Sequence, residues 1–237
     1  MRKISLRHLQ KLKLHREGTH SLILGAMVLV LFNLCLMLGM KQLGVEDNLA
    51  HLILTTSMVI CGILYVIVLN FFRCPPRIFE GETLNTVVAP CDGHVVVIEE
   101  VEENEYFHDR RLMVSIFMSV FDVHANWVPV EGTVKLVRHH DGNYHAAWLP
   151  KASIENERST VVFTTPQGTD ILARQVAGAM ARRVVTYVQQ DETCEIDEHM
   201  GFIKFGSRVD LYLPLGTKVL VEKGQRTIGN KTVIAKL

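Results

Sequence analysis

Two stretches near the N-terminus carry no Asp, Glu, Lys or Arg: Ser21–Met40 (SLILGAMVLVLFNLCLMLGM) and Leu49–Leu69 (LAHLILTTSMVICGILYVIVL). Each is about 20 residues, roughly 30 Å as a helix and so as long as a bilayer's hydrocarbon core is thick. Both read as transmembrane helices. Their connector, 41–48, is short, so the pair is expected to run antiparallel as a hairpin with both outer ends on one side. A secretory signal would have a shorter apolar core and a small-residue cleavage site, and would leave the second run unexplained. Asn33 and His51 are the strongly polar side chains of the two runs. A helix–helix hydrogen bond or an interfacial position accounts for them better than a transport role.

Beyond Phe72 the pattern changes. Cys74-Pro75-Pro76-Arg77 is a stiff linker, and after it the apolar runs are short, β-branched and divided by turn residues. Val87–Ala89, the turn Pro90 to Asp92-Gly93, and His94–Ile98 read as strand, turn, strand. Leu112–Val120, Ser159–Thr164, Thr169–Ala173 and Phe202–Leu213 continue as strands, and Lys218–Lys236 holds two more around Lys223-Gly224. Gln175–Val188 is the one plausible helical stretch, and Val184–Val188 within it reads equally as strand. The class is mostly β, a single domain of about 165 residues with a few short helices. VVAPCDGHVVVIEEV from Val87 and LPLGTKVLVEKGQRTIGNKTVIA from Leu213 echo one another, each a turn followed by a Val-rich strand. That pair suggests a barrel-sandwich-like domain with lipoyl- or biotinyl-carrier-like halves. No Lys stands at a hairpin tip in a Met-Lys setting, so the shape comes without the carrier activity.

Charge refines this. Across 237 residues, 25 Lys plus Arg balance 25 Asp plus Glu, which points to no nucleic-acid partner. Up to Phe72 the basic residues are Arg2, Lys3, Arg7, Lys11, Lys13, Arg16 and Lys41, against Glu17, Glu46 and Asp47, so the remainder is mildly acidic. Basic residues before the first run, with Arg73 and Arg77 after the second, place both ends in the cytoplasm by the positive-inside rule. The five Cys (35, 61, 74, 91, 194) form no CxxC, consistent with a reducing compartment. Ala235-Lys236-Leu237 resembles a peroxisomal address, against which the N-terminal hairpin argues.

In IKFGSRVDLYL, period two puts Ile203, Phe205, Ser207, Val209, Leu211 and Leu213 on one face. Ser207 is the hydroxyl among them, and a buried hydroxyl needs a partner. Gly206 before it permits a tight or strained backbone; spacing alone reads the pair as a bulge. Asp92 stands in an ordinary Asp-Gly turn, and His124 lies in the loop FDVHANWVP, where Asp122 could cap a turn. Ser, His and Asp are nevertheless the set that activates a hydroxyl nucleophile, with the base taking its proton and the carboxylate orienting the base. His139, His140, Asp141 and His145 sit in a Gly- and Asn-containing loop without metal-ligand spacing and read as solvated rather than metal-binding.

Together, VVAPCDGHVVVI, FMSVFDVHANWVPVEG, KASIENERS (Lys151–Ser159) and IKFGSRVDLYLP resemble phosphatidylserine decarboxylase in its short, membrane-anchored form, in the family's order and over nearly all of Phe71–Leu237. The resemblance implies that the Gly206-Ser207 bond cuts itself: Ser207 Oγ attacks the Gly206 carbonyl, an ester forms, and elimination and hydrolysis leave a pyruvoyl group at residue 207. It implies chains 1–206 and 207–237, a basic N-terminus 1–20, a membrane hairpin 21–72 and a catalytic domain 73–237. His124 is then the base and Asp92 its orienting carboxylate. The pyruvoyl group acts as an electron sink comparable to pyridoxal phosphate, and phosphatidylserine in the bilayer loses CO2 to become phosphatidylethanolamine. The two cut chains would form a heterodimer or a higher oligomer at the inner membrane, catalytic side in the cytoplasm. Longer members have a second His three residues after the first; Trp127 stands there, leaving His124 to serve both cleavage and protonation. Arg208 replaces a small polar residue and reads as a variable flank, while Arg158, Asn156 and Lys151 are available for a phosphate. Two other readings remain: a membrane-anchored carrier-like adaptor in which Ser207 is merely core, and a pyruvoyl decarboxylase of a soluble amino acid or another serine lipid.

Overall fold

The structure, a computed structural model, describes residues 14–143, 155–178, 183–204 and 207–237. The chain divides into two units at Pro75/Pro76.

The first unit holds α1 (Thr19–Gln42) and α2 (Asp47–Phe71), each slightly longer than its apolar run. Both are long and apolar enough to cross a membrane. Asn33 joins them: Ser57 Oγ donates to Asn33 Oδ1 (2.8 Å), and Asn33 Nδ2 donates to Cys61 Sγ (3.4 Å) and to Leu29 O (2.8 Å). Tyr65 Oη donates to Leu22 O at 3.4 Å, so residues late in α2 meet residues early in α1, as antiparallel packing requires. The polar residue in the first apolar run is thus a helix–helix hydrogen bond.

The second unit is strand after strand. β1 is Thr86–Val88, β2 Gly93–Glu103, β3 Asp109–Met118, β4 Ala125–Trp127, β5 Gly132–His140, β6 Arg158–Thr164 and β7 Asp170–Ala177. β8 is Arg183–Thr186, β9 Thr193–Cys194, β10 His199–Lys204, β11 Ser207–Leu213, β12 Lys218–Val219, β13 Arg226–Thr227 and β14 Val233–Lys236. Eight of them form a curled half-barrel sheet in the order β13-β2-β3-β11-β7-β6-β5-β9. Two three-stranded sheets, β1-β14-β12 and β4-β10-β8, complete the described set. The two echoing stretches pair with one another, Val87 opposite Ala235 and His94 opposite Arg226.

Two expectations give way. Phe202–Leu213 is not one strand: β10 pairs with β4 and β8 while β11 pairs with β3 and β7, and one straight strand cannot serve both sets of partners. Gln175–Val188 is not a helical stretch where it is described: β7 runs on to Ala177 and β8 covers 183–186, because both find antiparallel partners for their β-branched residues.

β11 lies between β3 and β7, and period two sorts its side chains as the sequence suggested. Val209, Leu211 and Leu213 join the main core with Ile116, Ile171, Ile203 and Ile234. The opposite face packs Tyr212 with Met113, Val162 and Leu172. Both faces are buried along the whole strand.

Candidate active site

Ser207 opens β11, opposite Met118 of β3 on one side and Ala177 of β7 on the other. It is fully buried, and its Oγ donates to Met118 Sδ at 3.2 Å. A thioether is a weak acceptor, so the hydroxyl is held in a dry core by a contact that is easily given up.

His124 lies on the chain that leaves this same end of β3. After Met118 the chain turns back because Asp122 caps the turn, its Oδ2 accepting from Ser119 N (2.9 Å) and Ser119 Oγ (2.8 Å). His124 then precedes β4 and is fully buried. Its Nδ1 lies 3.0 Å from Asp122 O. A carbonyl only accepts, so Nδ1 carries the proton and Nε2 is the basic nitrogen of the neutral ring. Ile203 N donates to His124 O at 3.3 Å, which ties β10 to the residue before β4. The topology thus gathers His124 and Ser207 around the end of β3.

Asp92 is held differently from the expectation. Arg77 grips both its oxygens, Nη1 on Oδ1 and Nη2 on Oδ2 at 2.8 Å, and Gly229 N donates to Oδ1 at 2.8 Å. Arg77 Nη1 also donates to Gly229 O (2.9 Å), and its guanidinium lies over the Trp127 ring, 4.7 Å from the centroid. Among the described residues Asp92 makes no hydrogen bond to His124, whose orienting acceptor is instead the Asp122 main-chain carbonyl. The Trp127 face takes the Arg77 cation, which is the group that holds Asp92. Asp92 is tied through Arg77 to the ring of Trp127, three residues along the chain from His124, and Trp127 N donates to Pro90 O at 2.8 Å.

Sequence reasoning missed a third group. Asn126 Nδ2 touches Met118 Sδ at 3.8 Å, Gln175 Nε2 donates to Asn126 Oδ1 at 2.7 Å, and Thr186 Oγ1 reaches Gln175 Oε1 at 3.0 Å and Ser159 Oγ at 2.6 Å. Only the polarity of Asn126 and Gln175 inside β-branched runs could have signalled it. Beside the site, burial pushes the Cys91 thiol well up, with Asp92 adding to it, so the thiol stays protonated and unreactive.

The remaining candidates scatter. His140 Nε2 meets Glu105 Oε1 at 2.8 Å, and His139 lies 3.5 Å from Glu157 and 3.8 Å from Asp141 on a half-exposed edge. Asn156 is buried and donates to Ala177 O at 2.7 Å, which makes it a brace for β7 rather than a phosphate ligand. Arg208 is no surface flank: it is buried with Asp210, Nε to Oδ1 at 2.8 Å. Gly206, Phe205, His145 and Lys151 lie outside the described residues.

A family model described as phosphatidylserine decarboxylase matches residues 64–235. Among curated relatives, a Bacteroides thetaiotaomicron protein is 58% identical over 98% of this chain and 98% of its own length. A Phocaeicola vulgatus protein is 59% identical with the same coverage, and one from Amoebophilus asiaticus is 35% identical over 95% of this chain and 97% of its own. All three are named phosphatidylserine decarboxylase proenzyme.

Proposed function

The chain belongs to the phosphatidylserine decarboxylase family, and from that premise we propose that it is a lyase converting phosphatidylserine to phosphatidylethanolamine and CO2 after cutting itself at Gly206-Ser207. The observation that supports the cut is Ser207 itself, a hydroxyl buried at the head of a central strand whose hydrogen-bond partner among the described residues is a thioether. Burial without a strong partner is a poor use of a hydroxyl in a core, and a good one if the hydroxyl is to react. The relatives' shared word, proenzyme, agrees with processing.

In this reading His124 Nε2 takes the proton of Ser207 Oγ, which adds to the preceding carbonyl; the C–N bond breaks, the amine takes a proton and an ester remains. Elimination releases a carboxylate at residue 206, and water replaces the nitrogen at residue 207, released as ammonia, to leave a ketone. Arg77, Asp92 and Trp127 position β4, the strand that follows His124. A pyruvoyl group fits the place, since Ser207 is flanked by Met118 and Ala177 with no charged side chain among its described contacts. When present, that group supplies an electron sink for the bond that loses CO2. The apolar surroundings favour a carboxylate that is shedding its charge, and His124 can return a proton to the substrate carbon. The two apolar helices would anchor residues 73–237 on the cytoplasmic face, where a bilayer lipid reaches the site without extraction into water.

Intact mass of the full chain from membranes tests this. A split after residue 206, an amine-reactive carbonyl at residue 207 and loss of both in Ser207→Ala are expected. A chain that stays whole while membranes still release CO2 from phosphatidylserine overturns it, and free serine as substrate tests the soluble-substrate reading.

A further inference from the structure

Met118 Sδ is touched from two sides, by the hydroxyl of Ser207 at 3.2 Å and by the carboxamide of Asn126 at 3.8 Å. Asn126 is fully buried, and among the described residues its Nδ2 meets no oxygen. Its orientation is set by chemistry: a thioether can accept but not donate, so turning Oδ1 toward the sulfur would oppose lone pairs and leave Gln175 Nε2 facing another donor. A buried amide donor given only a weak acceptor carries desolvation that it does not recover. The fold nevertheless invests in holding it there. Gln175, itself fully buried, clamps Oδ1 at 2.7 Å, and Thr186 and Ser159 fix Gln175 from behind. Gly201 leaves the space, since a Cβ there would stand 2.6 Å from Gln175 Nε2 and 2.3 Å from Val185 O.

We propose that Asn126 is a further catalytic residue of self-cleavage, its Nδ2 donating to the oxygen that becomes negative when Ser207 Oγ adds to the carbonyl before it, with Gln175 and Thr186 as positioning residues. A donor held on the same sulfur as the reacting hydroxyl, and poorly satisfied until charge develops, can lower a barrier without reorganisation. The step needs nothing from outside: the Ser207 proton passes to His124, the new C–O bond forms, the C–N bond breaks, and the proton goes on to the departing amine. The proposal rests on the serine-cleavage reading above and adds to it a residue that reading does not require.

The test follows cleavage of freshly synthesised full-length chain in membranes by intact mass, with and without hydroxylamine, which cuts an ester but leaves an amide. Asn126→Ala removes the donor; Asn126→Asp keeps size and the acceptor for Gln175 while presenting oxygen to the site. Both are expected to slow cleavage by about 100-fold or more and to stay whole in hydroxylamine, with thermal midpoints matching uncut Ser207→Ala. Wild-type cleavage rates in both variants, or a hydroxylamine-labile ester accumulating in either, would overturn the role of Asn126 while wild type still cuts and Ser207→Ala does not. Failure of wild type to cut, or cutting by Ser207→Ala, would instead sink the serine-cleavage reading itself.

Discussion

At the scale of single residues, Arg77 shows what charge counting leaves out. In the sequence it is one more cation after the second apolar run, whereas in the fold its side chain is 9% exposed and bound to Asp92. Positive-inside arithmetic is blind to where a guanidinium goes, so the partner of Asp92 was illegible although Asp92 itself was singled out. Breaking a buried pair strands the remaining charge, at about 3–5 kcal/mol. Arg77→Ala is accordingly expected to destabilise by that order in denaturant titration of the full chain, and Arg77→Ala with Asp92→Asn to recover part of it. Gly229 is a second such position. A Cβ there would lie 2.7 Å from the Trp127 ring and 3.0 Å from the Cys91 carbonyl carbon, so Gly229→Ala should cost about 1–3 kcal/mol in the same titration.

At the scale of elements, β11 was half legible. Its apolar alternation identified the inward face and placed Ser207 on it, but did not reveal that the polar alternates on the other face are buried as well. Arg174 of β7 donates to Tyr212 Oη at 2.8 Å, to Glu103 Oε1 at 2.7 Å and to Glu105 Oε2 at 2.9 Å. Sequence spacing cannot show this, because the pairing depends on β2, β7 and β11 being brought into one sheet. Burial alone would raise the Glu103 carboxyl, but the N–H groups of Phe107 and Tyr106 and the guanidinium of Arg174 outweigh it and hold the group below its ordinary 4.5. Burial likewise opposes and His140 and Arg174 overcome it at Glu105, also lowered from 4.5. A carboxylate with a lowered folded pKa lends stability that is whole above the unfolded value and lost as pH falls through the folded one. The thermal midpoint should therefore drop as pH falls below about 4.5, and Glu103→Gln should flatten that limb while lowering the plateau above it.

At the scale of the whole chain, the sequence made the two apolar helices and the mostly strand class plain, because each is a repeating pattern that needs no knowledge of neighbours. The change of partners from β10 to β11 was hidden, since uninterrupted alternation cannot report it. The proposed cut would fall between these two strands. A cut before Ser207 leaves residues 207–237 paired at β11 with both β3 and β7, at β14 with β1 and at β13 with β2. Val209, Leu211, Leu213 and Ile234 of that fragment sit in one core with Ile116, Ile171 and Ala173 of the rest. Its central strand would have to leave two antiparallel partners at once, exposing hydrophobic surface and unpaired main-chain groups together. The two pieces should therefore co-elute in mild detergent, melt in a single transition, and come apart only when the domain is denatured. Leu211→Ala, which opens a cavity worth about 2–5 kcal/mol in that shared core, should lower the common melting temperature of both pieces equally. A 207–237 fragment that washes off natively, or melts before the remainder, would show that the core does not hold them as one body.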